Sequence, residues 1–152
     1  KAFLSYYIES IYLLVFCVNK RISTKYYKNV SRVVLIMKKD DCIFCKLAHK
    51  EIPTEILYED DYVVAFPDQN PQAPVHVLII PKKHISSMNA VTVEDSEILM
   101  HVVMAEQKIA QDKGIAERGY RLVNNWGKEG GQTVGHLHFH LLGGRDMLWP
   151  AG

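Results

Sequence analysis

Three of the chain's seven histidines, His136, His138 and His140, occupy alternate positions close to its end, interleaved with Leu137, Phe139 and Leu141. In a β-strand this period of two sends the apolar side chains to one face and all three imidazoles to the other. Three kinds of chemistry suit such a row. Imidazoles at i and i+2 can converge on one metal ion. One imidazole can instead attack an electrophile while its neighbours manage protons. The row can also form a pH-responsive binding surface.

The flanks favour the second use. Gly130, Gly131, Gln132 and Thr133 immediately precede the histidines. Glycines let backbone N–H groups turn towards a ligand, and such a nest with a hydroxyl and an amide beside it suits a phosphate better than a bare metal. A second signal lies far upstream, where Cys42 and Cys45 form a C-x-x-C. In a reducing compartment that spacing suggests metal or redox chemistry. Three cysteines, an odd number, do not make a disulfide framework, and Cys17 has no partner of this kind.

The elements that must position these residues are legible from Met37 onwards. Phe44, Leu47 and Ala48 have helical spacing and are stopped by Pro53. Two apolar runs flank Glu59-Asp60-Asp61 and predict a hairpin. A Val/Ile-rich strand runs into Pro81. The clearest helix starts at Thr92, which Asp95 can cap, lines Ile98, Val102, Ala105 and Ile109 on one face, and stops near Gly114. A strand at Tyr120–Asn124, a glycine-bearing loop and the histidine strand complete the order. Two main helices and about five strands, mostly joined as hairpins, predict an α+β fold with an antiparallel sheet.

The first 36 residues differ in character. They form a Tyr- and Leu-rich run followed by a basic, hydroxyl-rich stretch, and carry a charge of +5, six basic residues against Glu9 alone. The remaining twelve basic and sixteen acidic residues leave −4. Residues 1–36 read as a presequence, an anchor or upstream sequence, and residues 37–152 as the domain. The apolar run falls short of the roughly 20 residues a membrane span needs, so membrane contact is expected only if this segment anchors the chain. With 152 residues, 48% hydrophobic and 23% charged, the chain fits one globular domain. A mildly acidic domain lacks the basic stripe that grips a nucleic-acid backbone.

His136-Leu137-His138-Phe139-His140-Leu141-Leu142 resembles the signature of the histidine triad (HIT) family of nucleotide hydrolases and transferases. The segments DCIFCK, EIP, YEDD, AFPDQNPQAPVHVLIIPKKHIS, GYRLV, GGQTV and LLGGRDMLWPAG are similar to its Hint branch, the purine nucleoside phosphoramidases. The resemblance spans about residues 40–152 and implies a HIT-like fold, a homodimer and a cytoplasmic enzyme. It implies that His138 is the nucleophile, forming a nucleotidyl–imidazole intermediate that water then resolves. His140 would assist the leaving group, His76 would support it from a neighbouring strand, and His136 would complete the triad. Asp68 would accept hydrogen bonds from the ribose. Ile43, Phe44, Leu47 and Phe66 would line the purine pocket. Asn125, Gly131, Gln132 and Thr133 would surround the phosphate, and Trp149 would reach towards a partner's site. Gln69 departs from the branch, where an apolar residue is common, which bears on base preference.

The same resemblance groups Cys42, Cys45, His84 and His136 as a structural zinc site. Four protein ligands leave no open position for water, so catalysis would need no cofactor. His49 and His101 are read as surface or helix histidines. The functional expectation is hydrolysis of the P–N bond of AMP– or GMP–amine conjugates. Two alternatives stay open: a dinucleoside polyphosphate hydrolase, which the LLGGRDMLWP ending disfavours, and a nucleotide-binding interaction module.

Overall fold

The computed structural model describes residues 38–151; the reading of residues 1–36 lies outside them. Helix α1 (Ile43–Ala48) comes first, then β1 (Tyr58–Glu59), β2 (Val63–Pro67) and β3 (Val75–Pro81). Helix α2 (Ser96–Asp112) follows, then β4 (Tyr120–Val123) and β5 (Phe139–Gly143). The five strands form one antiparallel sheet in the order β1-β2-β3-β5-β4. This is the α+β architecture expected, with one difference. Only α2 is a long helix, of 17 residues, whereas α1 has six. No side chain caps α1 at Cys42, and Lys50, with φ of 62°, turns the chain away soon after its end.

Helix α2 forms as its sequence demands. Thr92 and Asp95 make the expected reciprocal cap on the short 3-10 turn Val93–Asp95 that leads into it, and Gly114 leaves the helix with a φ of 68° that a side chain would strain. Its apolar stripe, Ile98, Val102, Ala105 and Ile109, packs on Val63, Ala65, Val77, Ile79, Leu137, Phe139 and Leu141. The opposite face of the sheet carries Val64, Phe66, Leu78 and Ile80, covered by Phe44, Cys45 and Ala48 of α1. Strands β2 and β3 are therefore buried on both faces, which explains why they read as nearly continuous apolar runs, interrupted only by His76. Among the described residues no helix is long and apolar enough to cross a membrane.

The histidine segment keeps its alternation but is less of a strand than expected. The ladder to β3 begins at Ile79↔Phe139, so only His140 lies within β5. The physical reason lies on β3. Residue 81 is proline, which has no N–H to continue a ladder. Upstream of Phe139 the chain is fastened by other bonds: Leu137 N–H to Ile85 O at 2.6 Å and His136 N–H to Val134 O at 2.8 Å.

Candidate active site

The α1 side of the sheet receives all three imidazoles, yet each meets different partners. His136 is fully buried, with its Nε2 3.0 Å from the carbonyl of Pro81. A carbonyl only accepts, so Nε2 carries the proton and Nδ1 presents a lone pair. His138, also buried, has Nδ1 2.6 Å from the carbonyl of His136. By the same reasoning Nδ1 carries a proton, and in the neutral ring Nε2 keeps the lone pair. His140 is fixed through a relay. The Gln72 amide donates to His76 Nδ1 at 3.1 Å, so His76 Nε2 bears the proton, which it donates to His140 Nδ1 at 2.9 Å. His140 is thereby left with an Nε2–H, the one buried polar side-chain atom without a partner among the described residues.

Asp68 sits beside this relay, its Oδ2 3.4 Å from His76 Nε2 and 3.8 Å from His140 Nδ1. Its other oxygen accepts the Asn70 amide at 2.8 Å, a turn-forming bond that orients the carboxylate. Burial holds both His76 and His140 below the ordinary imidazole value. His138 and His76 push His140 further down, and Asp68 opposes the shift at both. Asp68, His76 and His140 could be taken for a metal triad. The Gln72 amide argues otherwise: with an N–H directed at Nδ1, a metal on Nε2 would require His76 to lose both ring protons.

These groups open onto a cleft of about 300 Å³. Ile43, Phe44, Leu47, Phe66 and Leu78 give it an apolar wall, with Asp68, Thr133, His138 and His140 on the polar side. Phe44 lies edge-on to Phe66, 6.1 Å between centroids, and to His138 at 5.2 Å. One short helix therefore braces both the wall and the histidine. A planar apolar group fits the wall, and an anion fits the imidazole end.

On the other flank of His136 lies a closed cluster. Cys42 Sγ is 3.4 Å and Cys45 Sγ 3.5 Å from His136 Nδ1, and Cys45 Sγ is 3.3 Å from His84 Nδ1. The two Nδ1 atoms are 3.2 Å apart. In tetrahedral zinc, bond lengths of ~2.05 Å to nitrogen and ~2.3 Å to sulfur give N···N edges of ~3.3 Å and S···N edges of ~3.5 Å. These four separations are thus those a tetrahedral ion requires, and the His136 tautomer turns its lone pair to the centre. Burial raises the Cys45 thiol to about 11 and lowers His136 to about 4, so without a nearby cation these two groups are neutral. A cation would supply the charge that ionises the thiols. Helix α1 brings Cys42 and Cys45 to one side, while the Lys83–Asp95 ion pair at 2.6 Å ties the segment bearing His84 to the start of α2.

Of the residues expected from sequence, Ile43, Phe44, Leu47, Phe66, Asp68, Thr133, His138 and His140 line one cleft. Cys42, Cys45, His84 and His136 form one cluster. The glycine loop is different. The amides of Gly131 and Gln132 donate to Lys128 O and Gly127 O. The Gln132 carboxamide braces Ser86 O and Val134 O. These two amides are therefore spent on the loop's own shape, and Thr133 and Val134 are what the segment contributes to the cleft. Asn125 and Trp149 do not line the cleft, and Trp149 is exposed within the chain. Sequence reasoning missed two groups, the Gln72 amide and Asn124. The Asn124 side chain donates to His138 O at 2.8 Å, and the doubled Asn124-Asn125 was the only available signal.

The fold is thus an antiparallel sheet that presents a cleft with imidazoles at one end and an apolar wall at the other. A HIT-domain model matches residues 49–147. Over 71% of its length the chain is 48% identical to purine nucleoside phosphoramidase of Escherichia coli, covering 91% of that protein. It is 52% identical to an uncharacterized HIT-like protein of Synechocystis, over 74% of this chain and 98% of that one. A solved HIT family hydrolase from Legionella pneumophila superposes with a TM-score of 0.72 at 53% identity, covering 74% of this chain and all of its own. The chain belongs to the HIT family and is a hydrolase of that family.

Proposed function

We propose that the protein hydrolyses purine nucleoside 5′-phosphoramidates through a nucleotidyl–His138 intermediate. The observation that carries this reading is the 2.6 Å bond from His138 Nδ1 to the His136 carbonyl, which selects the neutral tautomer whose Nε2 lone pair faces the cleft. The naming of the Escherichia coli relative as a purine nucleoside phosphoramidase supports the substrate class.

The purine stacks between Ile43, Phe44, Leu47 and Phe66, and the ribose hydroxyls donate to Asp68. His138 Nε2 attacks the α-phosphorus, the P–N bond breaks, and the amine departs with a proton delivered by solvent through the open cleft. His140 Nε2–H stabilises the charge building on a phosphoryl oxygen. Water then attacks phosphorus, the P–Nε2 bond breaks, and nucleoside monophosphate leaves with a proton released to solvent. None of these steps passes through a cofactor. Zinc held by Cys42, Cys45, His84 and His136 would be structural, contributing rigidity beside the nucleophile.

A second copy of the chain is the proposed partner. Met100, Val103 and Met104 form an exposed apolar strip on α2, β4 is an edge strand, and Trp149 is uncovered within the chain. Cys42 and Cys45, free thiols among the described residues, favour a reducing compartment such as the cytoplasm.

The test is turnover of adenosine 5′-phosphoramidate by wild type and His138→Ala, with a diadenosine polyphosphate in parallel and oligomeric state measured by light scattering. The expected result is AMP release from the phosphoramidate by a dimer, lost in the variant and slow with the dinucleotide. Faster cleavage of the dinucleotide would replace the substrate assignment, and no turnover by folded protein would leave a binding module.

A further inference from the structure

We propose that Asn124 is a positioning residue for His138, an inference that rests on His138 being the nucleophile. Both ladders that could hold the main chain of His138 stop one or two residues short of it. Pairing with β4 ends at Val123↔His140, and pairing with β3 ends at Ile79↔Phe139, because Pro81 lies beyond. The reactive histidine is thus placed where the sheet no longer grips. Its carbonyl is taken instead by the Asn124 side chain, whose Nδ2 donates at 2.8 Å from the position just after β4.

This bond acts on chemistry through a second one. His138 Nδ1 is held by the carbonyl of His136, two residues earlier in the same segment. A bond within one short segment fixes the ring only if the segment itself is fixed. Leu137 N–H to Ile85 O anchors the middle of the segment, and Asn124 anchors its far end to β4. Without Asn124 the His138 backbone moves relative to the His136 carbonyl. The Nδ1–H···O bond then lengthens, and the proton is no longer confined to Nδ1. Nε2 loses its aim, and in the second tautomer its lone pair moves to Nδ1, away from the cleft. The residues proposed to hold the nucleotide, Ile43, Phe44, Leu47, Phe66 and Asp68, stand on other elements and are unaffected.

Asn124→Asp is the sharpest probe, because it keeps the shape and turns a donor into an acceptor facing a carbonyl. Asn124→Ala removes the bond, and Leu122→Ala, a β4 residue packed on the core, serves as a variant that loses stability alone. The measurements are kcat and KM on adenosine 5′-phosphoramidate, melting temperature, and a long-range ¹H–¹⁵N NMR spectrum that reports the tautomer of His138. In both Asn124 variants kcat is expected to fall about 10- to 100-fold with KM within about twofold, as for a displaced reacting group. The His138 signals should move from a pure Nδ1–H form towards a mixture. Leu122→Ala should lower the melting temperature and leave kcat and the tautomer alone. An unchanged tautomer and kcat in folded Asn124→Asp would overturn the proposal, as would effects that merely track melting temperature. If the wild type cleaves no phosphoramidate while the tautomer still shifts, the positioning role stands and the assigned reaction falls.

Discussion

His136 and His138 are two residues apart and fixed in opposite senses. At His136 the backbone bond falls on Nε2 and frees Nδ1, which faces two thiols and His84 in a closed cluster. At His138 it falls on Nδ1 and frees Nε2 at an open cleft. The side chains are identical and equally buried, so neither residue type nor depth distinguishes them. The difference comes from which main-chain carbonyl each ring meets and from what encloses the remaining nitrogen. A saturated ligand shell suits a structural ion, whereas a single free lone pair against a cleft suits attack.

That division breaks if the two regions cannot be damaged separately. His138→Ala should lower turnover of adenosine 5′-phosphoramidate by about four orders of magnitude or more, on the scale of a lost nucleophile, with a smaller fall in melting temperature than Cys45→Ala. Cys45→Ala should do the reverse. If the cluster holds zinc as proposed, metal measured by elemental analysis should fall from about one per chain in the wild type towards none, and the melting temperature should drop well before the kcat of the folded fraction. Equal loss of turnover in both variants, with stability untouched, would mean that the cluster takes part in the chemistry.

A smaller effect sharpens the cleft side. His140→Leu removes the unpartnered Nε2–H while keeping the volume of the ring filled. Loss of one donor to a developing oxyanion costs about 100-fold in kcat, with substrate binding little changed. His76→Leu should cost less, about tenfold, because it removes only the group that fixes the His140 tautomer. Steady-state kinetics on the two variants decide the order. A larger loss at His76 than at His140 would invert the relay.

Much of this was legible in the chain. The α2 cap and stripe follow from Thr92, Asp95 and the spacing of Ile98, Val102, Ala105 and Ile109, because helix signals are local. The alternation of Leu137, Phe139 and Leu141 likewise gave the correct face. What the chain concealed depends on distant partners. Proline at 81 ends the ladder that the histidine motif would otherwise continue, though the two are more than 50 residues apart. Residues that look alike locally, Asn124 and Asn125, separate only when β4 sets which of them faces His138. The amides of Gly131 and Gln132 turn inwards because Gly127 and Lys128 offer carbonyls, which a glycine count does not reveal.

Acidification gives the smallest effect and bears on both regions. Burial lowers His76 and His140 below the value near 6.5 that unfolded imidazoles take, and a histidine so depressed is stable when neutral. Above about pH 6.5 neither state binds these protons, so the stabilisation is complete. As the pH falls below that point, the unfolded chain takes up protons that the folded chain still refuses. Stability therefore declines until the folded values are passed. The relay supplies the physical reason: a proton on His76 Nδ1 would collide with the Gln72 amide. In metal-free protein His84 and His136, also lowered by burial, steepen the same slope. Comparing melting curves of wild type and His140→Gln from pH 7.5 to 5.0, with a chelator present throughout, isolates the cleft. The variant's curve should be flatter, each kcal/mol of spared stability appearing as about 3 °C in a domain of this size. Parallel curves would show that the cleft imidazoles accept protons in the folded chain as readily as in the unfolded one, and that only the closed cluster holds its histidines neutral.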